Sequence, residues 1–117
     1  MCVVDDDAPL RRALQRLLRV AGFTVETFGS PEDFLAAARS SLPDCLVLDI
    51  HLGTLSGFDV HDRLCAAGMS IPIVFITGHD DAATRERARR LGAAGYVRKP
   101  FDVTALLAAI EAALARS

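Results

Sequence analysis

No stretch of this sequence is apolar for long enough to cross a membrane, and none has the form of a signal peptide. Positive charge is not in excess: 13 Lys and Arg face 15 Asp and Glu, so the net charge is −2 and gives no patch for nucleic acid. Cysteine is scarce and odd in number. Cys2, Cys45 and Cys65 have no zinc-ligand spacing, and they read as reduced, mostly buried thiols rather than a disulfide frame. The first apolar run is followed by acids and not by a glycine-rich loop, which argues against a cradle for nucleotide or flavin phosphates. Repeats, low-complexity tracts and internal linkers are also missing. What is present, in 117 residues, is 51% hydrophobic and 24% charged side chains, as expected of one folded domain spanning 1–117. The cytoplasm is the expected location.

The chain is organised around Cys45-Leu46-Val47-Leu48-Asp49, an apolar run that ends on a carboxylate. Such a run suits a strand covered on both faces. Similar runs are Met1–Val4, Ile71–Thr77 and Gly95–Arg98, and Thr24 to Phe28 alternates β-formers. Between them lie helical patterns. The first has Leu10, Leu14, Leu17, Leu18 and Ala21 on one face and stops at Gly22. The second opens at Ser30-Pro31-Glu32-Asp33, with a cap, a first-turn proline and acids in place. The third turns Val60, Leu64 and Ala67 inward and ends at Gly68, and the fourth, Asp81 to Leu91, has Leu91 as its only large apolar residue. The last begins near Asp102, with Val103, Leu106, Leu107, Ile110 and Leu114 inward. Five strands alternating with five helices predict an α/β fold, a single doubly wound parallel sheet with helices on both faces.

In a parallel sheet the strand ends meet on one edge, where open α/β sheets carry their chemistry. Here they deliver Asp5 and Asp6, Asp49, Thr77 and Lys99. Three carboxylates within about 5 Å repel by roughly 3 kcal/mol per pair at an effective dielectric near 20. A divalent cation removes that cost, and oxygen-only ligands suit Mg²⁺, with Mn²⁺ as the alternative occupant. Lys99 adds a point charge for an anionic oxygen, and Thr77 a neutral donor. Asp7, directly before Ala8-Pro9, reads as a helix cap. His61 reads as a surface histidine. A zinc site from His51, His79 and Asp49 is set aside, because it would leave Asp5, Asp6 and Lys99 without a purpose.

Four segments in this order carry a resemblance: Val4-Asp5-Asp6-Asp7, Leu48-Asp49 with Ser56-Gly57, Ile76-Thr77-Gly78, and Tyr96-Val97-Arg98-Lys99-Pro100-Phe101. Over essentially its whole length the chain resembles the receiver domain of two-component response regulators, most closely a FixJ-like subgroup. The resemblance implies a (βα)5 flavodoxin-like sheet in the order 2-1-3-4-5. It implies that Asp49 is the phosphoacceptor, served by a sensor histidine kinase or a phosphotransfer protein. Asp6, Asp49 and the backbone carbonyl of His51 would hold Mg²⁺, with Asp5 acting mainly through water. Lys99 would pair with the phosphoryl group, Thr77 would bond to it, and Tyr96 would be the aromatic switch. His51 and His79 would look out over the site, and the Lys99-Pro100 bond would be cis. A homodimer formed on phosphorylation, or an effector domain or protein, would meet the face of the fourth helix, fifth strand and fifth helix; neither nucleic acid nor membrane is expected to be met directly. Arg85, Arg87, Arg89 and Arg90 are expected to supply charged contacts there.

Three positions depart from the family pattern: Gly53 where proline is common, which suggests a more mobile loop, a short and fraying first strand, and Arg98 before the lysine. A competing reading is a haloacid-dehalogenase-like Mg²⁺ phosphatase. That family's nucleophile lies on the first strand with a general acid two residues on. Here the nucleophile candidate is on the third strand and His51 stands in the acid's place, so turnover has no evident acid. A phosphoacceptor, not a multi-turnover enzyme, is therefore expected. It would be either a stand-alone receiver or the receiver part of a longer regulator.

Overall fold

The structure, a computed structural model, describes residues 1–53 and 55–116. Strands β1 (Cys2–Val4), β2 (Glu26–Phe28), β3 (Leu46–Asp49), β4 (Ile73–Thr77) and β5 (Gly95–Arg98) alternate with five helices. These are α1 (Ala8–Val20), α2 (Pro31–Ala38), α3 (Gly57–Ala66), α4 (Ala82–Arg90) and α5 (Val103–Ala115). All strand pairs are parallel, in the order β2-β1-β3-β4-β5. The expected order is the observed one.

The alternation of side chains along each strand divides the core in two. Val4, Leu46, Leu48 and Phe75 face Phe34, Phe58, Val60 and Leu64 on one side. Val3, Val47, Val74 and Ile76 face Leu14, Leu18, Leu106 and Ile110 on the other. The central strands are therefore apolar on both faces, and only their last residues are free to be polar. β1 is as short as expected, but it does not lie loose at an edge: Cys2, Val3 and Val4 are all buried and paired on both sides.

Capping follows the sequence. Asp7, Ser30, Ser56, Asp81 and Asp102 each accept a bond from a backbone N–H of the first turn. Several expectations of burial need correction. Ala21 and Ala67 fall at the C-caps of α1 and α3, where the helix has already turned toward solvent, and both are exposed. Val103 is exposed at the start of α5, and Ala113 takes a core place instead. β2 is shorter than expected: it pairs with β1, which begins at Cys2 opposite Glu26, so Val25 is buried ahead of the strand rather than within it. Cys2 and Cys45 are buried, whereas Cys65 is exposed. His61 is not a plain surface residue: its side chain is only 19% exposed and lies against Cys65 and Asp62.

Candidate functional site

Each strand end hands one group to the same edge of the sheet. Lys99 N donates to the Thr77 carbonyl oxygen at 2.7 Å, and Ile50 N to the Ile76 carbonyl oxygen at 3.0 Å. The ladder thus runs one step past the strands and fixes Asp49, Thr77 and Lys99 relative to one another. The residues after β1 are held by Arg11, whose guanidinium donates to the Asp5 carbonyl oxygen at 2.8 Å. Sequence reasoning missed Arg11, because nothing in a helical arginine announces a bond back to a strand end.

Lys99 Nζ lies 2.8 Å from Asp5 Oδ2 and 3.2 Å from Asp49 Oδ2. The other oxygens are also engaged: Asp5 Oδ1 accepts from Asp7 N at 2.9 Å and Asp49 Oδ1 from His51 N at 3.1 Å. Asp5 and Asp49 are buried, and Asp6 is exposed. An oxygen from each of the three lies within 4.8 Å of the others. Burial pushes the Asp49 carboxyl up from its ordinary value, and the Asp5 charge adds to this against the pull of His51 N and Lys99. Burial pulls Lys99 down, but its bond to Asp5 and the charges of Asp49 and Asp5 outweigh it and leave Lys99 raised. A single lysine among three carboxylates leaves an excess of negative charge, and every donor is oxygen. That set fits a hard divalent cation. Among the described residues no histidine belongs to such a cluster, so the zinc alternative has no geometric support.

Thr77 is fully buried, and its Oγ1 accepts from His79 N at 2.9 Å. Its hydroxyl proton remains available to a newcomer. The His51 and His79 rings meet edge to face at 5.4 Å, and with Asp49, Gly78 and Lys99 they line an open cavity of about 370 Å³. Larger hollows, of about 460 and 470 Å³, lie elsewhere and lack converging acids with a lysine, so volume does not mark the site.

Two glycines shape the loop after β3. A Cβ on Gly57 would stand 2.6 Å from the Asp49 carbonyl oxygen, so only glycine lets α3 begin this close to the strand end. Gly53 has φ +87°, a conformation that proline's ring forbids. Lys99-Pro100 is cis, as expected. Tyr96, half-buried on β5, donates its hydroxyl to Asp80 Oδ1 at 3.0 Å. Sequence reasoning had no signal for Asp80.

Residues 1–111 match the family model described as the response regulator receiver domain. The chain belongs to that family. Nodulation protein W of Bradyrhizobium diazoefficiens is 42% identical over 114 residues, which is 97% of this chain and 50% of that protein. Transcriptional regulatory protein FixJ of Azorhizobium caulinodans is 36% identical over 98% of this chain and 54% of its own length. Among solved structures, the response regulator StyR superposes with a TM-score of 0.90 at 45% identity, covering 98% of this chain and 58% of that one. A receiver protein from Burkholderia phymatum gives 0.83 at 43% identity, covering 97% and 93%. The receiver therefore spans about half the length of the curated relatives it matches. It is a signalling phosphoacceptor domain of the two-component class, and the comparisons lend nothing to a phosphatase. Among the described residues no helix is long and apolar enough to cross a membrane.

Proposed function

We propose that residues 1–117 are one receiver and that Asp49 is its phosphoacceptor. The observation that carries this is Lys99, which joins Asp5 from the end of β1 to Asp49 at the end of β3. Asp49 is the carboxylate that combines burial, a raised proton affinity and an opening onto the cavity with Lys99. An Asp49 oxygen forms a bond to phosphorus as the bond from phosphorus to the donor breaks. The donor is a phosphohistidine on a sensor kinase or phosphotransfer protein, or an acyl phosphate in vitro. Charge then accumulates on the phosphoryl oxygens, and Lys99 shifts from carboxylates to phosphoryl. The Thr77 hydroxyl donates to a phosphoryl oxygen while still accepting from His79 N.

Asp6, Asp49 and the His51 carbonyl would hold Mg²⁺ or Mn²⁺, with Asp5, already occupied by Lys99 and Asp7 N, acting through water. When bound, the cation neutralises charge on the attacking and transferred oxygens. Tyr96 is the switch residue, and α4, β5 and α5 form the face offered to a second copy or an effector. α4 suits this: Ala88 is its one buried residue, worth about 1 kcal/mol of burial, against roughly 1.5–3 kcal/mol for each buried leucine of α1. The arginines of α4 are less available than expected. Arg85 pairs with Asp80, Arg87 sits 4.5 Å over the Phe58 ring, and Arg89 and Arg90 hold Glu86.

Intact-mass measurement after incubation with acetyl phosphate tests the assignment. One phosphoryl adduct should form with Mg²⁺ and none in EDTA or in Asp49→Asn. An adduct that survives Asp49→Asn overturns it.

A further inference from the structure

Asp80 lies three residues past Thr77 and directly before the N-cap of α4. Its carboxylate accepts from Tyr96 Oη at 3.0 Å and from Arg85 at 2.8 and 2.7 Å. One side chain thereby ties the loop after β4 to β5 and to the middle of α4. Ala88 is the helix's one buried residue, with Arg87 over the Phe58 ring and Leu91 against the core beside it, so the Asp80 bonds are one of the few ties that position it. Asp80 follows by only three residues the threonine whose hydroxyl is assigned to the phosphoryl group. Arg85 first, and Tyr96 after it, lower the Asp80 carboxyl from its usual value and keep it charged. Burial and then Asp80 push the Tyr96 hydroxyl up to about 12, so it remains a donor at neutral pH.

We propose that Asp80 is a latch that holds Tyr96 and α4 in the resting arrangement and opposes the rearrangement that follows phosphorylation. The inference rests on the reading of Tyr96 as the switch residue. Asp80 is a positioning residue, since it touches neither the acid cluster nor Lys99. Drawing Thr77 toward a phosphoryl group moves the loop that carries Asp80, and the Tyr96 and Arg85 bonds must yield or follow. A receiver without the latch spends more time in the phosphorylation-competent state, and its apparent reactivity rises with that fraction.

The chain has one tyrosine and no tryptophan, so tyrosine labelled with ¹³C at Cζ gives one resonance, that of Tyr96. The wild type, Asp80→Ala and Tyr96→Phe are compared, the first two by this resonance with and without Mg²⁺ and beryllofluoride. All three are timed for phosphorylation by acetyl phosphate. Beryllofluoride should move the wild-type resonance. In Asp80→Ala the resonance should already be displaced without it, and phosphorylation should be about three- to tenfold faster, as removal of a conformational cost implies. Tyr96→Phe, which breaks the same bond from the other side, should be accelerated similarly. If beryllofluoride leaves the wild-type resonance in place, Tyr96 is not the switch and the latch falls with it. If the resonance moves but Asp80→Ala shows the wild-type position, or is phosphorylated no faster, the switch stands and the latch is overturned.

Discussion

Neutralising Asp49 should make the metal-free receiver more stable at neutral pH, although Asp49 is bonded to Lys99. Two carboxylates within 4.8 Å of each other repel by at least about 3.5 kcal/mol at an effective dielectric near 20, while Lys99 at 3.2 Å attracts Asp49 by about 5 kcal/mol. Repulsion from exposed Asp6 is screened to about 1 kcal/mol, so charge terms nearly cancel. Burial of Asp49 then decides the balance against the charged form, as its raised proton affinity states. Each kcal/mol gained by removing that buried charge raises the Tm of a domain of this size by roughly 4 °C. The sign follows from linkage: a carboxyl with a raised folded pKa binds its proton more tightly when folded. The wild type therefore regains stability as pH falls through that raised value, and the advantage of Asp49→Asn is present at neutral pH and vanishes in acid. Thermal unfolding followed by circular dichroism in EDTA, at pH 7.5 and pH 5, measures it. Mg²⁺ at a hundred times its dissociation constant should add about 2.7 kcal/mol to the wild type and little to Asp49→Asn. An Asp49→Asn variant less stable than wild type in EDTA at pH 7.5 would refute the reasoning.

Asp5 and Asp6 should separate in their effects. Asp6→Ala should weaken Mg²⁺ binding with little change in stability, whereas Asp5→Ala strips Lys99 and Asp7 N of a partner and should cost about 1–3 kcal/mol in denaturant unfolding. Lys99→Ala should leave the metal bound by titration calorimetry but slow phosphorylation. Of the three thiols only exposed Cys65 should react with a thiol reagent in the native state, since burial raises Cys2 and lifts Cys45 to about 11. Fast labelling of Cys45 would show that the core opens. Hydrogen exchange with and without beryllofluoride should change most between His79 and Phe101, and changes confined to α1 and α2 would place the switch elsewhere.

The fold was legible because its strands announce themselves. Leu46-Val47-Leu48 and Ile73-Val74-Phe75-Ile76 are apolar on both faces, and a run of that kind has few homes other than the middle of a parallel sheet. The acid cluster was legible for the same reason: Asp49 and Lys99 are polar residues placed where an apolar run stops. Element ends were less so. Ala21, Ala67 and Val103 match helical spacing, but each lies where its helix begins or ends and leaves the core, which periodicity does not record. Contacts between polar side chains away from the strand ends were not legible. Asp80 is an ordinary loop residue in sequence, and only the fold brings it to Tyr96 and Arg85. Gly57 was visible as part of a motif, while its physical reason, the Asp49 carbonyl against its missing side chain, emerges only in the fold.

The most direct measurement is to locate the phosphoryl group. Borohydride reduces an aspartyl phosphate to homoserine, and cleavage after arginine places Asp49 in the peptide 40–63, apart from Asp5 and Asp6 in the peptide 1–11. Phosphorylated receiver, reduced and sequenced by tandem mass spectrometry, should show homoserine at position 49 and at no other. Homoserine at position 5, 6, 7, 44, 59 or 62, with Asp49 intact, would contradict the assignment on which the rest depends.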